Sequence, residues 1–454
     1  MTKILSRSAL VTDLYELTMA AGYYAREMFE PATFSLYIRK YPPNRGYFVS
    51  AGLEDVLDYL ESWHFAQEEL DYLSSLDMFN DEFLHYLGTL GFSGEVHAIP
   101  EGRIFFKDEP ILEVTAPIIE GQLVETFIIN AINLQVSIAT KAARCVYAAE
   151  GRKLVDFSLR RTQGTEAGLK VARASCLAGF GGTSNVSAGQ GYGVPVVGTM
   201  AHSFVTSFEH EIDAFRAFAE TFPDNTVLLI DTYDTVEGAK KAVTVGREME
   251  ARGHQLRGVR LDSGDMAELS KQVREIFDQA GMDRVQIFAS GGFDEFKISG
   301  LLARGALIDA FGVGTKMGVS ADAPFTDMAY KLVQFGEKPV LKLSAGKKTL
   351  VSKKQVFRRE EENRLIGDTI ALRDEEGVDG ESLLKPVMKA GRRLEAARSL
   401  TEIGEDLQKE FKRVDKQYKD LEHPEVFPVS LSPGLATLQE KVVHQVREKE
   451  LGES

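Results

Sequence analysis

Apolar residues along this chain follow two different periods, and the changes of period divide it. TDLYELTMAAGYY (12–24) has helical spacing behind a Thr12 or Asp13 cap, and TFSLYIRKYPPNRGYFVSAG (33–52) reads as two strands around a Pro-Pro-Asn turn. Helical spacing returns over 53–92, and FSGEVHAIPEGRIFFKDEPILEVTAP (92–117) alternates apolar runs with turn residues as a small sandwich or hairpin set does. An N-terminal α+β layer is therefore expected. After an apolar helical stretch at 121–149, short β-rich runs alternate with longer helical ones. The strand candidates are LVDFSLR (154–160), VPVVGTMAH (194–202), TVLLIDT (226–232), LRGVRLDS (256–263), RVQIFASGG (284–292) and DAFGVGTKM (309–317), each ending in polar or glycine residues. This rhythm predicts a parallel barrel or an open parallel sheet, and in both the chemistry sits at the carboxyl ends of the strands. Downstream, KLVQF, PVLKLS, QVFRR and TIALRD within 329–391 read as antiparallel strands. Residues 395–450 are charged and helical, with a proline-marked break at HPEVFPVSLSP.

Composition narrows the classes. The 454 residues, 44% apolar and 27% charged, exceed the size at which one core keeps growing, so two or three packed domains are expected. A net charge of -15 argues against a general binder of nucleic acid or anionic membrane, which needs a broad basic surface. An anionic substrate would need a local basic pocket. Cys145 and Cys176 are the only cysteines, too few for a disulfide framework, and fit a reducing, cytoplasmic setting. MTKILSRSALVTDLYELT lacks the pattern of a signal peptide, and no stretch approaches 18 uninterrupted apolar residues, so no membrane span is expected.

The candidate chemistry gathers at the strand ends. RGVRLDSGD (257–265) offers Arg260 as a cation for phosphate and Asp262, Ser263 and Asp265 for sugar hydroxyls or Mg²⁺, although the same string could simply cap a helix. SGGFDE (290–295) and GVGT (312–315) follow the next two strands, where glycine-rich loops can turn backbone amides toward a phosphate or merely permit tight turns. GVGTKMG does not fit GxGxxG and no GxxxxGK[ST] occurs, so Rossmann and P-loop readings both fail on spacing. Of eight histidines only His202 ends a predicted strand beside a threonine, in GTMAHS, and none has zinc spacing, so no zinc site is expected. Asp231, ending the following strand candidate in LLIDTYD, could hydrogen-bond His202 and fix its tautomer, which would suit a phosphoryl acceptor. DFSLRRTQG sets Phe157 near Arg160 and Arg161, a ring and guanidinium groups suited to an aromatic carboxylate, or alternatively a core ring with surface arginines.

Taken in order, TDLYELTMAAGYY, FSLRRTQGTEAG, GFGGTSNVSAG, VPVVGTMAHSF, RLDSGD and FGVGTKM resemble the nicotinate phosphoribosyltransferase family over nearly the whole chain. The resemblance implies the type II phosphoribosyltransferase fold: α/β, an irregular parallel α/β barrel with an N-terminal α+β sandwich domain and a C-terminal β and helical extension. Residues 1–120, 121–328 and 329–454 would form the three parts, in a homodimer whose active sites lie between subunits. It further implies that Tyr15 of the neighbouring subunit and Phe157 sandwich the pyridine, with Arg160, Ser184, Thr199 and Arg260 lining the nicotinate pocket. Arg39 from across the dimer, Arg260, Asp262, Ser290, Gly291, Gly292, Gly314 and Thr315 would hold phosphoribosyl pyrophosphate, and His202, supported by Asp231, would become a phosphohistidine. Mg²⁺ would be held through substrate and Asp262, with ATP as co-substrate. Nicotinamide-using relatives carry an aspartate where Ser184 stands, and an aspartate would repel nicotinate by a few kcal/mol at about 4 Å in a partly buried site. The activities left as alternatives are nicotinamide or quinolinate transfer, or a catalytically silent nucleotide-binding relative.

Overall fold

The computed structural model describes residues 8–343 and 349–452, and these form two compact units. One contains the described residues up to Ser137 together with those from Phe325 onward, and the other is Ile138–Pro324.

The first unit is built on antiparallel strands. Its seven-stranded sheet runs, edge to edge, Lys338–Pro339, Met328–Phe335, Pro31–Ile38, Leu112–Pro117, Glu95–Ala98, Lys385–Lys389 and Arg392–Arg393. Strands from both ends of the chain thus share one sheet, with Phe34 opposite Leu332 on one side and Val114 on the other. Phe34, Leu36 and Ile38 are buried, as are Val96 and Val114. Full burial of such a side chain is worth roughly 1.5–3 kcal/mol, which makes this sheet the core of the unit. The two strands expected around the Pro-Pro-Asn turn both form, but they do not pair with each other. Pro31–Ile38 enters the large sheet, and Phe48–Val49 pairs with Ile104–Phe105. Lys354–Glu361 and Arg364–Leu372 make a hairpin in a four-stranded sheet closed on one edge by Val429–Leu431, inside the proline-marked break. The expected strand PVLKLS is strand only at Pro339, and Ser344 lies outside the described residues.

The second unit is wound in parallel. Its sheet runs Lys153–Asp156, Ala310–Val313, Gln286–Ser290, Gly258–Leu261 and Val227–Leu229, every pair parallel. Leu228, Val259, Leu261, Ile287, Ala289, Phe311 and Val313 are buried, the continuous apolar character of strands covered on both faces. Helices Thr235–Glu250, Met266–Gln279 and Glu295–Ala303 follow three of the strands. Asp234, Asp265 and Asp294 cap them, accepting from the amides of Glu237, Ala267 and Lys297. The fold class is mixed α/β, as expected.

Within this unit VPVVGTMAH departs from expectation. It makes no ladder: Val196 forms a single parallel bridge to Thr183, which forms another to Asp156, and His202 opens the short helix His202–Thr206. Side chains replace the missing ladder, because the Arg260 guanidinium donates to the Thr199 hydroxyl and His202 Nδ1 shares a hydrogen bond with Thr232 at 3.1 Å. The 196–202 segment, linked to the Lys153–Asp156 edge by bridges, is thereby tied to the strands at the opposite edge. The Arg260–Thr199 and His202–Thr232 contacts across this seam are side-chain hydrogen bonds.

Candidate active site

The strand ends of the parallel unit surround a cavity of about 340 Å³, within the roughly 300–1,000 Å³ range of small-molecule sites. Phe157, Arg160, Arg161, Asp262, Ser290, Gly291, Gly292, Gly312, Gly314 and Thr315 line it. The sequence-derived candidates Phe157, Arg160, Asp262, Ser290, Gly291, Gly292, Gly314 and Thr315 are thus brought together.

Each is held by local structure. The buried Asp156 carboxylate ends its strand and accepts from the Ser158 amide at 2.9 Å and the Thr183 hydroxyl at 2.7 Å, which fixes the turn carrying Phe157. Burial raises the Asp156 pKa, and these two donors work against that rise. The Phe157 ring lies 5.7 Å from that of Phe288 and against Gly312, where a Cβ would stand only 2.7 Å from ring carbons. A side chain at 312 would push the ring into the cavity. Gly291 has φ +109°, and a Cβ there would come within 2.3 Å of the Asp262 carbonyl, so both the conformation and the packing of this loop demand glycine.

The charges are arranged unevenly. Burial is the main influence on Arg260 and lowers its pKa, Asp262 and Asp231 act in the opposite sense, and Arg160 lowers it further. Arg260 thus feels charges of both signs, and an anion bound beside it would favour its cationic form. Asp262 accepts a hydrogen bond from the Ser290 hydroxyl. Among the described residues no group of three or more histidine, cysteine, aspartate or glutamate side chains could hold a metal ion by itself. Asp262 is the carboxylate on the cavity wall.

The expected hydrogen bond between Asp231 and His202 is not made. Parallel pairing of Leu229 with Arg260 sets Asp231 opposite Asp262, and its Oδ2 accepts from the Asp262 amide at 2.8 Å and the Ser263 hydroxyl at 2.7 Å. His202 instead meets the neighbouring Thr232. Asp231 Oδ1 and Arg260 Nε are buried without a hydrogen-bond partner among the described residues. Ser184 donates its amide to the Asp156 carbonyl at 2.8 Å, just after Thr183, and Thr199 receives Arg260. Asp265, offered as a ligand for sugar or Mg²⁺, caps a helix and pairs with Arg304. A helix cap within this string is expected at Asp262 or Ser263, and the structure places it at Asp265. Tyr15 and Arg39 belong to the antiparallel unit, where Arg39 pairs with Asp327 and the exposed Tyr15 has its hydroxyl pKa raised by burial and by Glu125.

Sequence reasoning missed Thr232, the Asp156–Thr183 pair, Asp294, Lys297 and Lys316. An acid ending the strand before FSLRR was visible, but its hydroxyl partner lies 27 residues away. Lys297 donates to the Gly291 carbonyl at 2.6 Å and Lys316 pairs with Asp294 at 2.7 Å, contacts that no spacing announces.

Comparison with known proteins agrees with this architecture. Residues 10–133 match the nicotinate phosphoribosyltransferase (NAPRTase) N-terminal domain, 152–359 the nicotinate phosphoribosyltransferase (NAPRTase) family, and 377–439 the nicotinate phosphoribosyltransferase C-terminal domain. The chain is 50% identical over 386 residues to nicotinate phosphoribosyltransferase pncB2 of Mycobacterium tuberculosis, covering 85% of this chain and 83% of that one. It is 35% identical to the nicotinate phosphoribosyltransferase of Bacillus subtilis, covering 97% and 96%. Among solved structures, human nicotinic acid phosphoribosyltransferase superposes with a TM-score of 0.86 at 28% identity, covering 95% of this chain and 99% of that one.

Proposed function

Given that this chain belongs to the nicotinate phosphoribosyltransferase family, we infer that it joins nicotinate to phosphoribosyl pyrophosphate in NAD salvage, at the cavity of the parallel unit. The observation that carries the placement is the convergence of Arg160 and Arg161 with Asp262 and two glycine loops around one small-molecule cavity.

In this reading the pyridine nitrogen attacks C1′, the bond from C1′ to the diphosphate oxygen breaks, and nicotinate mononucleotide and diphosphate leave. Phe157 stacks on the pyridine and the guanidinium pair receives its carboxylate. Ser184 supplies no repelling charge. The glycine loops hold the 5′-phosphate, so that positioning and charge compensation do most of the catalysis. Mg²⁺, bound through the diphosphate and Asp262, would supply neutralisation of the leaving group. Tyr15 and Arg39 complete the site from the second subunit of a homodimer.

ATP enters through His202. Its imidazole, oriented by Thr232, takes the γ-phosphoryl group with release of ADP. The phosphorylated form favours tighter substrate binding, and water later releases phosphate to reset the enzyme. The setting proposed is cytoplasmic. Among the described residues no helix is long and apolar enough to cross a membrane.

Diphosphate release should be measured with nicotinate, nicotinamide and quinolinate, each with and without ATP. Nicotinate as preferred substrate and stimulation by ATP are the expected results, with acid-labile phosphate on His202 detected by mass spectrometry. Preference for another pyridine, or a silent protein, would reject the substrate assignment. ATP stimulation that survived in His202→Ala would reject the phosphohistidine.

A further inference from the structure

The two glycine loops of the cavity follow neighbouring strands, Ser290 pairing with Gly312 in the sheet, and Gly291, Gly292 and Gly314 have no side chains of their own to fix their shape. Gly291 and Gly292 sit at φ +109° and +67°, and glycine is the residue that loses most conformational freedom when held in one place. The rigidity a phosphate cup needs must come from residues behind the loops.

Those residues are present. Asp294 is 7% exposed and uses both carboxylate oxygens. Oδ1 accepts from the Lys297 amide at 2.9 Å, opening helix Glu295–Ala303, and Oδ2 receives the Lys316 ammonium at 2.7 Å. Lys316 directly follows Thr315, which lines the cavity beside Gly314. One carboxylate thus joins the end of the first loop to the end of the second. Lys297 turns back to bind the Gly291 carbonyl at 2.6 Å. The adjacent Glu295 is fully buried and accepts from Arg144 Nε at 2.8 Å and Lys141 Nζ at 2.5 Å, so the helix that carries Asp294 is itself anchored. The electrostatic tie is local as well: Lys316 lowers the Lys297 pKa, behind the larger effect of burial.

We propose that Asp294 and Lys316 are positioning residues that brace the two glycine loops as one unit, so that affinity for the 5′-phosphate end of the substrate depends on their ion pair. The proposal rests on the phosphoribosyl pyrophosphate reading of the cavity and adds residues outside it. The alternative is that the Lys316 ammonium touches phosphate directly. The two differ in sign at Asp294, since neutralising it weakens a brace but would release Lys316 toward an anion.

Asp294→Asn keeps the helix cap and removes the charge; Lys316→Met keeps the aliphatic stem. Each should raise the KM for phosphoribosyl pyrophosphate about tenfold, the worth of a charged hydrogen bond, with kcat and the nicotinate KM within about twofold of wild type. The double variant should be no worse than either single one. Lys316→Arg should restore affinity. As a competitive probe, ribose 5-phosphate should lose affinity by the same factor, while inorganic diphosphate should not. An unchanged KM, tighter binding in Asp294→Asn, additive losses, or a shift confined to diphosphate would each overturn the brace. Failure of the transferase reading itself would already be visible in the wild-type enzyme, and direct calorimetric binding of ribose 5-phosphate would still test the loops.

Discussion

The buried charges of the antiparallel core and those at the strand ends of the parallel unit are held differently. In the antiparallel unit Arg358 is buried with Asp368 at 2.6 Å and Glu410 at 2.6 Å, and Glu410 also takes Arg103 at 3.0 Å. Burial pushes Glu113 upward, but Lys354 and Arg373 together hold its carboxyl below the usual range. Arg358 and Lys354 there each have a buried anion. At the strand ends of the parallel unit, by contrast, Arg260 Nε and Asp231 Oδ1 are buried without a hydrogen-bond partner among the described residues. A saturated network holds a fold together; an unsaturated one stores demand for a ligand.

Removing one cation from each unit should separate these roles. Arg358→Met leaves the buried Asp368 without its cation and Glu410 with Arg103 alone, and should destabilise the protein by about 3–5 kcal/mol in urea unfolding, with activity per folded molecule unchanged. Arg260→Ala should do the reverse. It should lower kcat/KM for nicotinate transfer by about 10²–10³-fold, on the order of 2.7–4 kcal/mol, and lower stability by no more than the one hydrogen bond to Thr199, about 1 kcal/mol. A large stability loss in Arg260→Ala would erase the distinction between the units.

Within the site, Gly291→Ala should cost about tenfold in the KM for phosphoribosyl pyrophosphate, because its φ is left-handed and its Cβ would meet the Asp262 carbonyl. Gly292→Ala, with open space around it, should cost less, and equal effects would show that loop strain rather than contact decides.

The smallest effect concerns an exception in the antiparallel unit. Glu16 is buried among the hydroxyls of Thr12 and Thr126, with Glu125 and Asp13 nearby, and burial raises its pKa from 4.5 to about 7. The folded state therefore binds more protons than the unfolded one between these values. Stability from this group is fully present below pH 4.5 and is lost as pH rises through about 7. Glu16→Gln should flatten that part of the stability profile, and an unaltered profile would assign the slope elsewhere.

Much of the site could be read before any coordinates, for a physical reason: parallel strands are buried on both faces, so they appear as short apolar runs, and their polar ends stand out. FSLRR, RLDSGD, SGG and GVGT were all found in this way, and all contribute to the cavity. VPVVGT was misread as a strand because an apolar run signals burial but does not identify its hydrogen-bond partner. The C-terminal strands gave no sign that Met328–Phe335 would pair with Pro31–Ile38, some 300 residues earlier, since a sheet edge recognises backbone rather than sequence.

The one-dimensional pattern therefore determined which segments are buried, where they end, and which chemical groups stand at those ends, because burial and turn formation act over a few residues. Tertiary structure decided which of those groups meet. Register set Asp231 beside Asp262 and left His202 to Thr232. Tertiary packing brought Arg260 to Thr199, and packing behind the loops joined Asp294 to Lys316. Hydrogen bonds and ion pairs act over about 3 Å, so a displacement of one residue in register is enough to change every partner.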